Sequence, residues 1–272
     1  MPEFVYDPVP DLDAYLARIN YPGTRELTRE NLNALVLAHQ LAVPFEGLDL
    51  SLYHKPVTLD TAHLFEKVVR HGRGGYCYEL NGLFVSLLRS FGFDAVSVMC
   101  RLINGRDTIG PVSHRGCLVR LDGKRYFCDV GYGGAMAPFA IEISPEHQAF
   151  RGETFWAEEG QEGWIRILRM KRNGIGDSAE DGGRVIESLY FAPIAFANCD
   201  FNAPNAQSSA PTSGFSRRVW VTMRTENGYK SLIADEFTVV ENGEKTVRQI
   251  TEEELAPILE EHFRLHECEY AV

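Results

Sequence analysis

The stretch Arg73–Leu102, RGGYCYELNGLFVSLLRSFGFDAVSVMCRL, changes the period of its hydrophobic residues partway along. Leu80, Leu83, Phe84, Leu87 and Leu88 recur at three and four residues, an apolar stripe down one helix face. The pair Gly74-Gly75 opens this helix and Gly92 ends it. Beyond Gly92, DAVSVMCRL is short and β-branched, a strand pattern. Outward from that switch the chain reads as helices on one side and strands on the other.

Toward the N-terminus, Leu12, Tyr15, Leu16 and Ile19 form a second helical stripe. Leu32, Leu35 and Val36 follow a cap at Thr28, and Leu64, Phe65, Val68 and Val69 follow one at Asp60. Residues 1–92 are therefore expected to be a helical bundle. Toward the C-terminus, GCLVRL, KRYFCDV, WIRILRM and RVIESLYF read as strands of an antiparallel sheet or barrel, residues 93–197. The polar, proline-bearing Asn198–Gly214 reads as a long loop or linker. RRVWVTMRT and KSLIADEFTVVENG add strands, with a turn at Asn242-Gly243. A last helix opens on a capping box, Thr251 and Glu254, with Ile250 and Leu255 as its staple; Pro257 should kink it or move its start. The fold class is α+β.

The chain has 272 residues, 44% hydrophobic and 24% charged, which excludes a disordered or fibrous protein. No apolar run approaches the ~18 residues of a membrane helix. The start, MPEFVYDPVPDLDAYL, has acids and prolines where a secretory leader needs a basic end, so a cytoplasmic protein is expected. A net charge of −11 argues against nucleic acid and anionic membranes as partners. It also requires any anionic ligand to find a local pocket of donors. The six cysteines show no CxxC pair and fit reduced thiols.

Among them Cys77 stands apart. It falls in the first turn of the Leu80–Leu88 helix, where unpaired N–H groups and the helix dipole favour an anion such as a thiolate. It shares a helix face with Leu80, Asn81 and Phe84, so the thiol points inward. The competing reading is a buried structural cysteine, which we adopt for the other five. A nucleophilic cysteine needs a base and a group that orients the base. Asp122-Gly123 is a hairpin signal, and the pairing it implies, with residue numbers summing to 245, sets Gly116 opposite Asp129 and His114 opposite Gly131. His114 and Asp129 then lie diagonally on one face; a one-residue shift would separate them. Asp129, in the apolar run YFCDV, is costly to bury without a partner.

These residues resemble the arylamine N-acetyltransferase family in its bacterial form. The signature R-G-G-[YW]-C-[FY]-E-x-N is met from Arg73 to Asn81, and P-F-E-[NG]-L, taken as helical, from Pro44 to Leu48. The order Cys-His-Asp is met by Cys77, His114 and Asp129, the last in D-V-G-[FY]-G. The resemblance covers most of the chain. It implies a helical bundle and a β-barrel forming a cysteine-protease-like core, with an α/β lid at 198–272. It implies ping-pong transfer from acetyl-CoA to an arylamine or arylhydrazine through acetyl-Cys77, without a metal, in a monomer or homodimer. The substrate contacts it implies are Phe45, Leu102, Gly131 and Tyr132, and the CoA contacts Ser113, Gly133, Ser208 and Ser209. Arg73 and Glu46 match a structural ion pair. Arg101, Arg106, Arg217 and Arg218 are further candidates for the CoA phosphates, though each reads first as solvated surface. The family's aromatics in the long loop are replaced by Asn205 and Ala206, which implies a wider or less aromatic pocket. An amide synthase or another cysteine acyl-transfer enzyme, using a non-acetyl or carrier-protein thioester, is the alternative.

Overall fold

The computed structural model describes residues 6–170 and 183–266. Cys268 lies outside them. Helix α1 (Leu12–Arg18) begins at Asp11, and α2 (Arg29–Ala42) at Thr28, whose side chain accepts the Asn31 N–H. The Pro44–Leu48 motif is not helical at its centre. It forms a short strand, β1 (Phe45–Glu46), before helix α3 (Leu48–Ser51). β1 pairs away from the bundle, with Thr222 and Val221, and that long-range partner overrides local preference. Helix α4 (Thr61–Phe65) starts on Asp60, but its stripe continues as a π-helical turn over Glu66–Arg70. Helix α5 (Cys77–Phe91) has the bounds its stripe predicts and is buried from Cys77 to Leu88.

α5 packs against the first strands of an eight-stranded antiparallel sheet. Its strands are β2 (Asp94–Leu102), β3 (His114–Leu121), β4 (Lys124–Cys128), β5 (Ile141–Glu142), β6 (Gln148–Phe150), β7 (Glu153–Glu159), β8 (Ile165–Met170) and β9 (Val185–Phe191). The order is β5-β4-β3-β2-β9-β8-β7-β6. The sheet curls almost shut, so that the Ala157 N–H in β7 donates to the Ser144 carbonyl just past β5 at 3.1 Å. Phe127, Phe155, Ile167 and Phe191 fill the interior.

At the β3–β4 hairpin, Asp122 and Gly123 both have positive φ, 51° and 73°, as a two-residue turn requires. Pairing runs from Leu121–Lys124 to Cys117–Cys128 in the expected register. It stops there. The pairs Gly116–Asp129 and His114–Gly131 do not form, because side chains take the next amides: Val130 N–H donates to Asn81 Oδ1 at 2.9 Å, and Gly131 N–H to Asp129 Oδ1 at 3.0 Å.

Asn198–Gly214 is not a plain loop. A 3₁₀ turn over Asn198–Phe201 leads into helix α6 (Asn202–Ser208), and Gly214 opens α7 (Gly214–Arg217). Phe201, fully buried against Tyr78 and Phe196, draws this weakly helical stretch onto the core. Pro204 falls in the first turn of α6, where its missing N–H has no intrahelical partner to lose. The chain ends in β10 (Trp220–Thr225), β11 (Gly228–Ile233), β12 (Glu236–Glu241), β13 (Glu244–Gln249) and helix α8 (Glu252–Phe263). These strands and β1 form a second sheet, β1-β10-β11-β12-β13. α8 starts where its capping box places it, with the Thr251 N–H donating to Glu254 at 2.9 Å, and runs on through Pro257 to cover this sheet. The whole is α+β: helices, a nearly closed antiparallel barrel and a second sheet with its helix. Among the described residues no helix is long and apolar enough to cross a membrane.

One core histidine ties the fold to pH. His39 in α2 is fully buried, its Nε2 3.0 Å from the Tyr15 hydroxyl. Burial, helped by the Arg18 charge, holds its pKa down at about 3. The unfolded chain titrates it near 6.5, so acid favours the unfolded state from about pH 6.5 downward. Between pH 6.5 and 4 this costs about 3 kcal/mol. His39→Gln, which keeps an acceptor for Tyr15 but cannot titrate, should lose correspondingly less stability over that range in thermal melts. Equal losses in both proteins would show that His39 is not the group responsible.

Candidate active site

Cys77 is the first residue of α5, and what precedes it fixes its position. Gly74 passes so close to Pro44 that a Cβ would stand 2.0 Å from the Pro44 carbonyl oxygen. The Glu46 N–H donates to the Gly75 carbonyl at 2.9 Å. Arg73, buried beneath, donates through Nε to Glu46 at 3.0 Å and through Nη2 to Asp49 at 3.1 Å. The expected Arg73–Glu46 pair is present, but it belongs to a larger cluster. Lys67, from the π turn, places Nζ 2.7 Å from both Asp49 and Glu79. The second oxygen of Glu79 accepts the Tyr76 N–H at 2.9 Å. Burial pushes the Glu79 carboxyl up to about 7, against the pull of Lys67.

His114 and Asp129 meet. His114 Nε2 lies 2.6 Å from Asp129 Oδ2, and both side chains are buried. That leaves Nδ1 free of Asp129, and the Cys77 side chain is among the groups that favour a proton on the ring. Burial opposes charge on the ring, yet the Asp129 charge and hydrogen bond, with Cys77, prevail and lift His114 to about 10. Asp129 is itself held. Its Oδ1 accepts from Asn81 Nδ2 at 2.8 Å as well as from the Gly131 amide. Gln40 Nε2 donates to the Asp129 carbonyl at 2.9 Å, while its Oε1 accepts from Arg224 Nε at 2.8 Å. Sequence reasoning placed Asn81 on the Cys77 face without a role and missed Gln40, Arg224, Lys67 and Glu79. Glu79 stands three residues after Tyr76, a readable capping-box position. The others carry no local signal.

Several expected contact residues gather here. A Cβ on Gly131 would lie 3.1 Å from Cys77 Cα, so the loop after Asp129 presses directly on the helix start. The Tyr132 ring meets His114 edge-on, centroids 5.6 Å apart, and its hydroxyl donates to the Ser188 carbonyl at 3.1 Å. Gly133 lies against the Phe45 ring, which packs between Phe215 and Trp220. Ser113 enters β3, its N–H on the Cys100 carbonyl at 3.1 Å. Leu102 ends β2, half-buried against the barrel core. Ser208 closes α6, and Ser209 Oγ lies 3.2 Å from the Tyr76 hydroxyl. Asn205 also turns inward: it accepts from the Tyr76 hydroxyl and donates to the Val57 carbonyl at 3.0 Å. Ala206 is exposed at the edge of a cleft of about 580 Å³ with Leu50 and Val57.

The four arginines are not drawn to Cys77. Arg101 donates to the Gly110 carbonyl and covers Trp164, Arg218 covers Trp220, and Arg106 and Arg217 are exposed. A small pocket of about 40 Å³ lies between Phe45, Asp129, Gly133 and Arg224. The broader clefts, about 730 Å³ beside Arg224 and Tyr229 and about 770 Å³ beside Arg101 and Trp164, do not include Cys77. Among the described residues no group of three or more His, Cys, Asp or Glu side chains is arranged to hold a metal.

A family profile described as N-acetyltransferase matches residues 28–268. The chain is 38% identical over 161 residues to a Salmonella typhimurium protein named arylamine N-acetyltransferase / N-hydroxyarylamine O-acetyltransferase. That match covers 58% of this chain and 57% of the relative, little more than half its length. A proansamycin X synthase from Amycolatopsis mediterranei is 30% identical over 258 residues, 90% of this chain and 93% of the relative. The Mycobacterium marinum arylamine N-acetyltransferase in complex with CoA superposes with a TM-score of 0.83 at 25% identity, over 93% of this chain and 92% of that one. With His114 bonded to Asp129 and the loop after Asp129 pressed on the Cys77 helix start, the profile match places the chain in the arylamine N-acetyltransferase family.

Proposed function

We propose that the protein transfers an acetyl group from acetyl-CoA to the nitrogen of an arylamine or arylhydrazine by a ping-pong route through acetyl-Cys77. The observation that carries this reading is the buried His114, bonded to Asp129 through Nε2, with Asp129 and Cys77 together favouring a proton on its ring. A ring raised to about 10 is an imidazolium at neutral pH, the partner that stabilises a thiolate. Cys77 Sγ adds to the thioester carbonyl, the carbon–sulfur bond to CoA breaks, and His114 gives the leaving thiolate a proton. The amine then attacks acetyl-Cys77 and loses a proton to His114, which restores the starting pair. The Cys77 amide, in the first turn of α5, is the donor assigned to the developing oxyanion.

Phe45, Leu102, Gly131 and Tyr132 are assigned to the amine, which the closeness of Gly131 to the helix start and of Tyr132 to the His114 ring supports. Ser113, Gly133, Ser208 and Ser209 are assigned to CoA. Five unpaired cysteines among the described residues suit a reducing cytoplasm. A second reading is a synthase acting on a longer or carrier-bound acyl thioester. It is favoured by the alignment with a synthase along 90% of the chain and by Asn205 and Ala206 in place of aromatics.

Intact mass after incubation with acetyl-CoA alone tests the first reading. The protein should gain one acetyl group that Cys77→Ala does not gain and that an arylamine or arylhydrazine discharges. No adduct from acetyl-CoA, with an adduct from a longer acyl thioester, would replace the first reading by the second. Asp129→Asn tests the charge relation. The wild-type His114 ring should stay protonated to about pH 10 in an NMR titration. In the variant burial is left unopposed by the carboxylate, so the ring should titrate well below that and acylation should fall about 10²-fold or more. An unmoved His114 would refute the role given to Asp129.

A further inference from the structure

Glu79 takes no part in the chemistry above, yet its carboxylate is bound to the backbone immediately before the nucleophile. One oxygen accepts the Tyr76 N–H at 2.9 Å, one residue before Cys77, and the other accepts Lys67 Nζ at 2.7 Å. Both side chains are almost wholly buried, at 3% exposure each. A buried lysine and carboxylate are expensive to desolvate, and a helix cap on the surface needs neither. Their use here is geometric. Lys67 is brought inward by the π turn Glu66–Arg70, and π turns of this kind recur at functional sites. Lys67 is braced in turn by Asp49, and Asp49 by Arg73. The chain of contacts from Arg73 therefore ends on the amide beside Cys77.

We propose that Glu79 is a positioning residue for the nucleophile: clamped by Lys67, its carboxylate holds the Tyr76 amide and so sets the Cys77 thiol against His114. The inference rests on reading Cys77 as the nucleophile. Its test does not need an acyl donor. Two variants separate placement from charge. Glu79→Gln keeps the length and an acceptor oxygen but removes the charge. Glu79→Asp keeps the charge but withdraws the carboxylate by one methylene from the Tyr76 amide. The readout is the rate of iodoacetamide alkylation at Cys77, followed by peptide mass so that the exposed Cys199 is counted separately.

Placement predicts that Glu79→Gln, whose one oxygen still accepts the Tyr76 N–H while Lys67 keeps only Asp49, loses a few-fold at most, and that Glu79→Asp loses about ten- to hundred-fold, the scale of a misplacement near 1 Å. In single-turnover acetylation the maximal rate should fall with it while the acetyl-CoA concentration at half-maximal rate stays put. The proposal is overturned if Glu79→Asp reacts as fast as wild type, if Glu79→Gln slows as much as Glu79→Asp, or if neither variant retains a cooperative melt. Wild-type protein that is alkylated at Cys77 but not acetylated would sink acetyl transfer and leave the positioning contrast intact.

Discussion

Arg73 lies fully buried with its guanidinium between Glu46 and Asp49, and the surroundings of Cys77 are arranged about that charge. An unpaired buried cation would be untenable, and removing one partner from such a pair typically costs about 3–5 kcal/mol. The carboxylates must therefore come to it. Glu46 does so from β1, which is bound on one side to the Gly75 backbone and on the other to β10. The C-terminal sheet is thereby anchored to the start of the cysteine helix. Gly74 matters for the same reason, since no side chain fits where its backbone meets Pro44.

A second constraint runs through Asn81, one turn into α5. It holds the Asp129 carboxylate, the Val130 amide and the Arg115 carbonyl at once. The hairpin pairing ends where these bonds begin. Asp129 is thus bent out of the β4 ladder and toward His114, and the ladder bonds given up are replaced by bonds to side chains. Buried as both side chains are, the His114–Asp129 bond is worth more than in solvent, and this favours a charged ring despite its burial. Gln40 and Arg224 close the arrangement from behind, joining the bundle, the barrel and the second sheet beneath Asp129.

Much of this was legible residue by residue. The helix of Cys77, with its ends at Tyr76 and Gly92, follows from one apolar stripe and its glycines. The Asp122-Gly123 turn sets the β3–β4 register as far as Cys117–Cys128, and beyond it Asn81, not the ladder, carries Asp129 to His114. Thr28, Asp60 and Thr251 start helices where they should. Elsewhere local signals misled. Asn198–Gly214 reads as loop because its residues are poor helix formers, and Phe201 and Asn205 order it through contacts that no local pattern announces. Phe45–Glu46 is too short to read as a strand, and its partner lies more than 170 residues away.

The sequence by itself determined the helix that begins at Cys77, the hairpin that carries His114 and leads to Asp129, and the family to which the chain belongs, because helix starts, hairpin turns, apolar periods and short motifs are set by neighbours along the chain. Only the tertiary structure decided how those residues are held. Lys67, Glu79, Asn81, Gln40 and Arg224 act on partners from other elements, and a buried charge or amide shows its purpose only when the group it satisfies is in view.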